Sequence, residues 1–360
     1  MSSKILSPRV YPALQPAHLF WKLYAPAEAP YRFRARSLSE ARRWQKKTRT
    51  ALAELLAFPG LPPAPLAPKK IEKVDRGDHW REKVLLQTSR HTLMPVYLLT
   101  PKKGDKPWPV VLALHGHGYG AKEIVGLDEK GGERNSGTTY QKDFALALCR
   151  RGFAVAVPDI SCFGERETDF SFAPVTGKPG HPPRESSCYH AAKWAFHLGG
   201  SVVGLRTHDN RRLVDYLSTR PEFDLNRLGA MGISGGGMST LYSACLDERI
   251  RACVISGYFS TFRDSILNMH HCFCNFVPQM HRFGEMSDLI ALVAPRPVLL
   301  EAGEDDPIFP FSAVKKAARE ARQIYRRFGK EKNVQTDYFK GEHQIHGAHA
   351  YDFLASALAC

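Results

Sequence analysis

The chain has 360 residues, 43% of them hydrophobic, with 50 basic against 36 acidic side chains and a formal net charge of +14. That apolar share supports a sizeable core and excludes a disordered chain, and no internal repeat suggests a solenoid. No apolar run approaches the roughly 18 residues that a bilayer span needs, and no nucleic-acid recognition motif accompanies the positive charge.

The segment Met1 to Pro30 is punctuated by prolines and lacks the apolar stretch of a secretory signal, so the expected location is cytoplasmic. Neither a membrane nor a nucleic acid is expected as partner. The basic excess gathers in Arg32 to Arg49 and Lys315 to Lys332, both with helical spacing. Solvated helix faces are the plain reading, and a surface for acidic polymers such as uronic-acid glycans is the sharper one. The eight cysteines form no evenly spaced disulfide framework, and Cys149, Cys245 and Cys253 sit in apolar segments as core thiols do.

In chain order, residues 36–57 carry a helical pattern with Trp44, Leu52, Leu55 and Leu56 on its apolar face. A proline-rich connector, Pro59 to Pro68, then breaks it. Lys83–Thr88 and Pro95–Thr100 read as an antiparallel strand pair. From Pro109 short apolar runs alternate with helical segments. The runs are Val110–His115, Phe153–Asp159, Leu228–Ser234, Cys253–Gly257 and Val298–Gly303, with a more polar Thr336–Lys340 last. The helices between and after them are expected at Tyr140–Arg150, Leu205–Leu217, Gly236–Leu246, Ser312–Phe328 and Ala348–Leu358. Strands buried on both faces and alternating with helices imply a mostly parallel central sheet flanked by helices, an α/β architecture. The expected organisation is a helical lead over 1–68 and a catalytic domain over 69–360, with insertions near 160–200 and 258–288. Ligands of such sheets sit beyond the carboxyl ends of the strands.

Those strand ends carry the chemistry. Gly232-Ile233-Ser234-Gly235-Gly236 places a serine between a strand and a helix, where a tight turn would project its Oγ above the sheet. His115-Gly116-His117-Gly118-Tyr119-Gly120 ends the first long apolar run. Its backbone N–H at His117, with that of Gly235, could form an oxyanion hole. The rival reading as a dinucleotide fingerprint fails because Lys122 to Thr139 is polar and glycine-studded, and no acidic residue ends a strand about 20 positions on. After Val298–Gly303, Asp305 and Asp306 both stand where a triad acid belongs, and Pro307 favours an extended Asp306. After the last strand come three histidines, His343, His346 and His349, of which His343 lies nearest the strand end. Serine, acid and histidine in this order, each at a strand end, suit a nucleophilic hydrolase. The segment His270-His271-Cys272-Phe273-Cys274-Asn275 packs four potential ligands together, but its C-x-C spacing is unlike that of zinc sites, and no metal is expected.

The motifs ALHGHGYG, PDISCFGERE, GISGGG, HHCFCNFVP, LVAPRPVLLEAGEDDPIFP and KGEHQIHG together resemble the acetyl-xylan-esterase-like and dienelactone-hydrolase-like branch of the α/β-hydrolases, over roughly residues 30 to 358. The resemblance implies an α/β-hydrolase fold with an N-terminal helical lead and cofactor-free hydrolysis of carboxylic esters, often on acylated carbohydrate. It assigns Ser234, Asp306 and His343 as the triad, since relatives place the acid four positions before a proline, here Pro310. The base in relatives follows a Gly-Gly pair, whereas here Glu342 replaces the second glycine. The HHC-x-CN stretch recurs in that group without a known metal, and His270, His271 and Glu165 are expected to touch substrate. A serine peptidase of the prolyl-oligopeptidase kind shares the triad order, but the chain has no room for its propeller. A catalytically idle binding protein on the same fold is the other alternative.

Overall fold

A computed structural model of the chain describes residues 6–58, 61, 64–134, 139–171 and 186–358. Parts of the expected proline-rich connector and of the 160–200 insertion lie outside the described residues. Among the described residues nine strands form one sheet in the order β1-β2-β3-β5-β4-β6-β7-β8-β9. They are β1 (Lys69–Asp75), β2 (His79–Ser89), β3 (Thr92–Pro101), β4 (Trp108–Leu114), β5 (Ala154–Pro158), β6 (Phe223–Ile233), β7 (Ala252–Ser256), β8 (Val298–Gly303) and β9 (Val334–Phe339). From β5 through β4 and β6 to β9 every pairing is parallel, while β1, β2 and β3 add an antiparallel edge beside β5.

Side-chain alternation explains why the central strands read as unbroken apolar runs. Val110, Leu112 and Leu114 of β4 enter the core on one face of the sheet, and Val111 and Ala113 enter the core on the other. The flanking helices are α1 (Pro16–Leu23), α2 (Leu38–Leu56), α3 (Phe144–Arg150), α4 (Ser187–His197), α5 (Val202–Leu217), α6 (Gly235–Leu246), α7 (Met286–Ile290), α8 (Phe311–Arg326) and α9 (Ala350–Leu358). Strand β1 escaped the sequence reading because its residues are nearly all exposed. An edge strand rich in lysine needs no apolar face and resists pairing with other chains. Helix α3 begins four residues later than expected. Lys142 and Asp143 take left-handed backbone angles, φ 50° and 47°, which a right-handed helix cannot include.

The lead is tied by polar contacts to the helices and loops that flank the sheet. Ser37 caps α2 by accepting from the Glu40 N–H. Gln45, buried on the inner face of α2, donates to the carbonyls of Ala291 and Ala294 (2.7 and 2.6 Å). Arg49 reaches the carbonyls of Cys245 and Leu292. Upstream of α2, the Phe33 N–H donates to the buried carboxylate of Asp288, which also accepts from the Glu285 N–H (both 2.9 Å).

Burial pushes the Asp288 carboxyl from 3.8 up to about 6, with Arg32 and the two N–H groups opposing the shift. A raised folded-state value means that its contribution to stability is full below about pH 4 and is lost as pH rises through 6. The loss amounts to about 1–3 kcal/mol. Asp288→Asn has no proton to lose, so the wild type is expected to lose stability relative to this variant between pH 4 and 7 in urea titrations. A constant difference across that range would contradict the assignment.

Candidate active site

The register of the sheet brings the chemistry together. Leu114 pairs with Gly232, Ile233 with Ser256, Ser256 with Glu301, and Gly303 with Phe339, so the carboxyl ends of β4, β6, β7, β8 and β9 lie side by side. Ser234 stands at the end of β6 as the N-cap of α6, with φ 56° and ψ −120°. Few L-residues tolerate this strained conformation. It is held by Ser234 N–H donating to the Ser256 carbonyl (3.0 Å) and Met238 N–H donating to the Ser234 carbonyl (2.9 Å).

The turn closes only because its flanks are glycine. A Cβ at Gly236 would lie 1.8 Å from the Leu114 carbonyl oxygen, a backbone atom that cannot step aside. Gly236→Ala is therefore expected to lose about 3 kcal/mol or more of stability by forcing the turn off the sheet. A denaturation midpoint within error of wild type would show that the turn has slack.

Asp306 is buried in the loop after β8 and Asp305 is exposed. The Oδ1 of Asp306 accepts from the N–H groups of Ile308 and Phe309 (2.9 and 3.1 Å), and its Oδ2 accepts from His343 Nδ1 at 2.6 Å. The imidazole of His343 lies between the rings of Tyr140 and Phe309, each 5.7 Å away and close to parallel. It also covers Gly257 at the end of β7. Its Nε2 is buried without a hydrogen-bond partner among the described residues, which leaves it available as a proton acceptor. His346 is engaged elsewhere, with Nδ1 3.0 Å from Asp337 and its ring stacked on Phe339; His349 is exposed.

The loop after β4 is clamped from several sides. His115 is fully buried and pushed down to about 3 by that burial, so it is neutral. Its Nε2 accepts from the Ile160 N–H (3.1 Å), which leaves Nδ1–H to donate to the Gly116 carbonyl (2.8 Å). Gln141 accepts from the Gly116 N–H, and the Tyr140 hydroxyl donates to the His117 carbonyl, both at 2.7 Å. A Cβ at Gly116 would lie 3.2 Å from that of Ser234, so the loop runs directly against the candidate nucleophile. The N–H groups of His117 and Gly235 have no acceptor among the described residues, as an oxyanion hole requires.

Behind the loop that bears His343 lies Glu301, whose buried carboxylate accepts from Ser256 Oγ, His346 N–H and Gly347 N–H (2.7, 2.9 and 2.8 Å). It ties β7, β8 and the His343-bearing loop into one unit.

The three residues expected to touch substrate sit in different surroundings. His271 is buried, and its Nε2 is shared between Ser265 Oγ and the Ile308 carbonyl (3.0 and 3.2 Å). It braces the loop that carries Asp306. Glu165 spends its carboxylate on Lys83 of β2 (2.5 Å). His270 is exposed, and no hydrogen bond involves it among the described residues. Sequence reasoning missed Tyr140, which links His343 to the loop after β4, since a tyrosine preceding a helical stretch carries no distinguishing signal.

The chain matches the sequence profile of the Abhydrolase family over residues 25–343. YtaP of Bacillus subtilis (strain 168), provisionally named a hydrolase, is 29% identical over 272 residues, covering 72% of this chain and 81% of YtaP. Among solved structures, a protein of Bacteroides fragilis NCTC 9343, provisionally named an acetyl xylan esterase, superposes with a TM-score of 0.74 at 20% identity. The match covers 91% of this chain and 82% of that one. A glucuronoyl esterase from Solibacter usitatus superposes with a TM-score of 0.61 at 18% identity, covering 92% of this chain and 99% of the other.

Proposed function

Because the chain belongs to the Abhydrolase family, we propose that it is a serine esterase that cleaves short-acyl carboxylic esters, with acylated carbohydrate as the substrate class. The observation that carries this reading is Ser234 held at positive φ on the β6–α6 turn, with the His343–Asp306 pair beyond the ends of β9 and β8 in the same sheet. The carbohydrate part draws on the names of the structural relatives, an acetyl xylan esterase and a glucuronoyl esterase.

In the proposed reaction, His343 Nε2 takes the proton from Ser234 Oγ as that oxygen attacks the ester carbonyl. Asp306, bonded to Nδ1–H, keeps the imidazole in the tautomer that can accept and stabilises the cation it becomes. The negative carbonyl oxygen is met by the N–H groups of His117 and Gly235, and the positive end of α6 adds to their field. The imidazolium then returns the proton to the departing alcohol. A water, deprotonated by the same base, releases the acid and restores Ser234.

The test is an initial-rate series on p-nitrophenyl esters from acetate to octanoate, joined to labelling by a fluorophosphonate probe. Activity on acetate that falls with chain length, and a label mapped to Ser234, are expected. Acetylated sugars and methyl esters of uronic acids would then divide the two carbohydrate classes. Inertness toward every ester together with no label would overturn the reading.

A further inference from the structure

A second constellation lies beside the site and takes no part in the proposed reaction. One side-chain ligand atom each from His117, Cys188, Cys272 and Cys274 lie within 4.8 Å of one another. They come from three separate places: the loop after β4, the first turn of α4, and the short turn Phe273–Asn275 with the residue that caps it, Cys272, in the segment after β7. Cys188 and Cys274 are buried, and Cys274 Sγ is 3.9 Å from His117 Nε2. Ile160, Phe163, Ala192 and Val202 close an apolar wall around the thiols, and Phe163 meets the His117 imidazole edge-on.

A buried cation accompanies the cluster. Arg206 of α5 is 1% exposed and spends Nε and Nη2 on the Ser161 carbonyl (3.3 and 2.9 Å). Its Nη2 also lies 3.6 Å from Cys188 Sγ, and its Nη1 has no partner. Among the described residues no carboxylate pairs with it. A buried guanidinium without a counter-anion is costly, and a thiolate beside it would supply one. Three thiolates in an apolar pocket would repel one another strongly unless a divalent cation lay among them. With such an ion bound, the thiolates, the ion and Arg206 leave the pocket neutral.

We propose that His117, Cys188, Cys272 and Cys274 hold a zinc ion. Three sulfurs and one imidazole form a soft donor set that selects zinc over magnesium or calcium. At zinc bond lengths of about 2.3 Å to sulfur and 2.0 Å to nitrogen, tetrahedral ligand atoms stand roughly 3.5–3.8 Å apart. The cluster needs only a small contraction to reach this spacing. Four protein ligands leave no position for water, which makes the site structural. The ion pins the oxyanion loop, through His117, to α4 and to the segment after β7. Considered alone, His270 to Asn275 offers too few well-spaced ligands; Cys188 and His117 complete the set from 84 or more residues upstream.

The consequence for turnover rests on the proposed oxyanion role of His117, whereas metal binding does not. The full chain, purified without chelator, is expected to contain about one zinc per chain by elemental mass spectrometry. Protein stripped with chelator under reducing conditions and refilled with Co²⁺ is expected to show thiolate-to-cobalt charge transfer in the near ultraviolet and the visible bands of a tetrahedral site. Cys272→Ser with Cys274→Ser should abolish both signals. Wild-type protein that holds no zinc and gives no cobalt bands would overturn the site, as would mass-spectrometric proof of a disulfide within the cluster. These outcomes are read without an activity assay, so they survive failure of the esterase reading. If the esterase reading holds, zinc removal should lower kcat about tenfold with KM little changed, and an unchanged kcat would overturn the pinning role.

Discussion

Ser234→Ala is expected to lower kcat/KM on the best p-nitrophenyl ester by a factor on the order of 10⁵, with the fold preserved. The activity falls because no other nucleophile stands at the end of β6, leaving only the oxyanion donors and binding to act. The fold survives for two reasons. Among the described residues the Ser234 Oγ makes no hydrogen bond, so its removal strands no partner. Alanine also meets the same positive φ at a cost similar to that of serine, so the strain of the turn is unchanged. A near-wild-type melting temperature with lost activity and lost fluorophosphonate labelling is the expected pattern. Retention of most of the ester rate would remove Ser234 from the mechanism.

Asp306→Asn is expected to lower kcat by about 10⁴ with little change in KM. The amide oxygen can still accept from the Ile308 and Phe309 N–H groups, so the loop should keep its shape. What remains toward His343 is then an NH₂ group, which donates to Nδ1 where the carboxylate accepted. That exchange drives the imidazole proton to Nε2, the atom that must accept from Ser234. Asp305→Asn is the matched control. Its side chain is exposed, and it is expected to stay within a few-fold of wild type. Equal losses in both variants would mean that charge near β8, and not the tautomer, governs the rate.

Much of this arrangement was legible because the parallel sheet writes itself plainly into sequence. Each central strand is buried on both faces, so Val110–Leu114 or Val298–Leu300 stands out as an apolar run whose last residues mark a strand end. Position then singled out Ser234, while Asp305 and Asp306, and His343, His346 and His349, stood level until Pro307, nearness to the strand end and the family resemblance favoured Asp306 and His343. The exposed edge strand β1 carried no such pattern, and the late start of α3 depended on two left-handed residues that composition does not announce. The accessory residues were hidden for a different reason. His271 was expected at the site because its segment is inserted after a strand end, whereas its hydrogen-bond partners, Ser265 and Ile308, are settled by tertiary packing. Tyr140 and Arg206 likewise gain their roles from elements distant in the chain.

The buried Glu301 carboxylate has a kinetic consequence. Its three hydrogen bonds keep the loop bearing His343 ordered whether or not an ester is bound. No segment of that loop must freeze during the catalytic cycle, so the conformational entropy is lost at folding, not at each turnover. An Arrhenius plot of kcat should therefore run straight up to the onset of unfolding. A Glu301→Gln variant, in which one oxygen has become a donor facing the N–H of His346 or of Gly347, should bend that line, because the loop would then sample arrangements that chemistry must wait for.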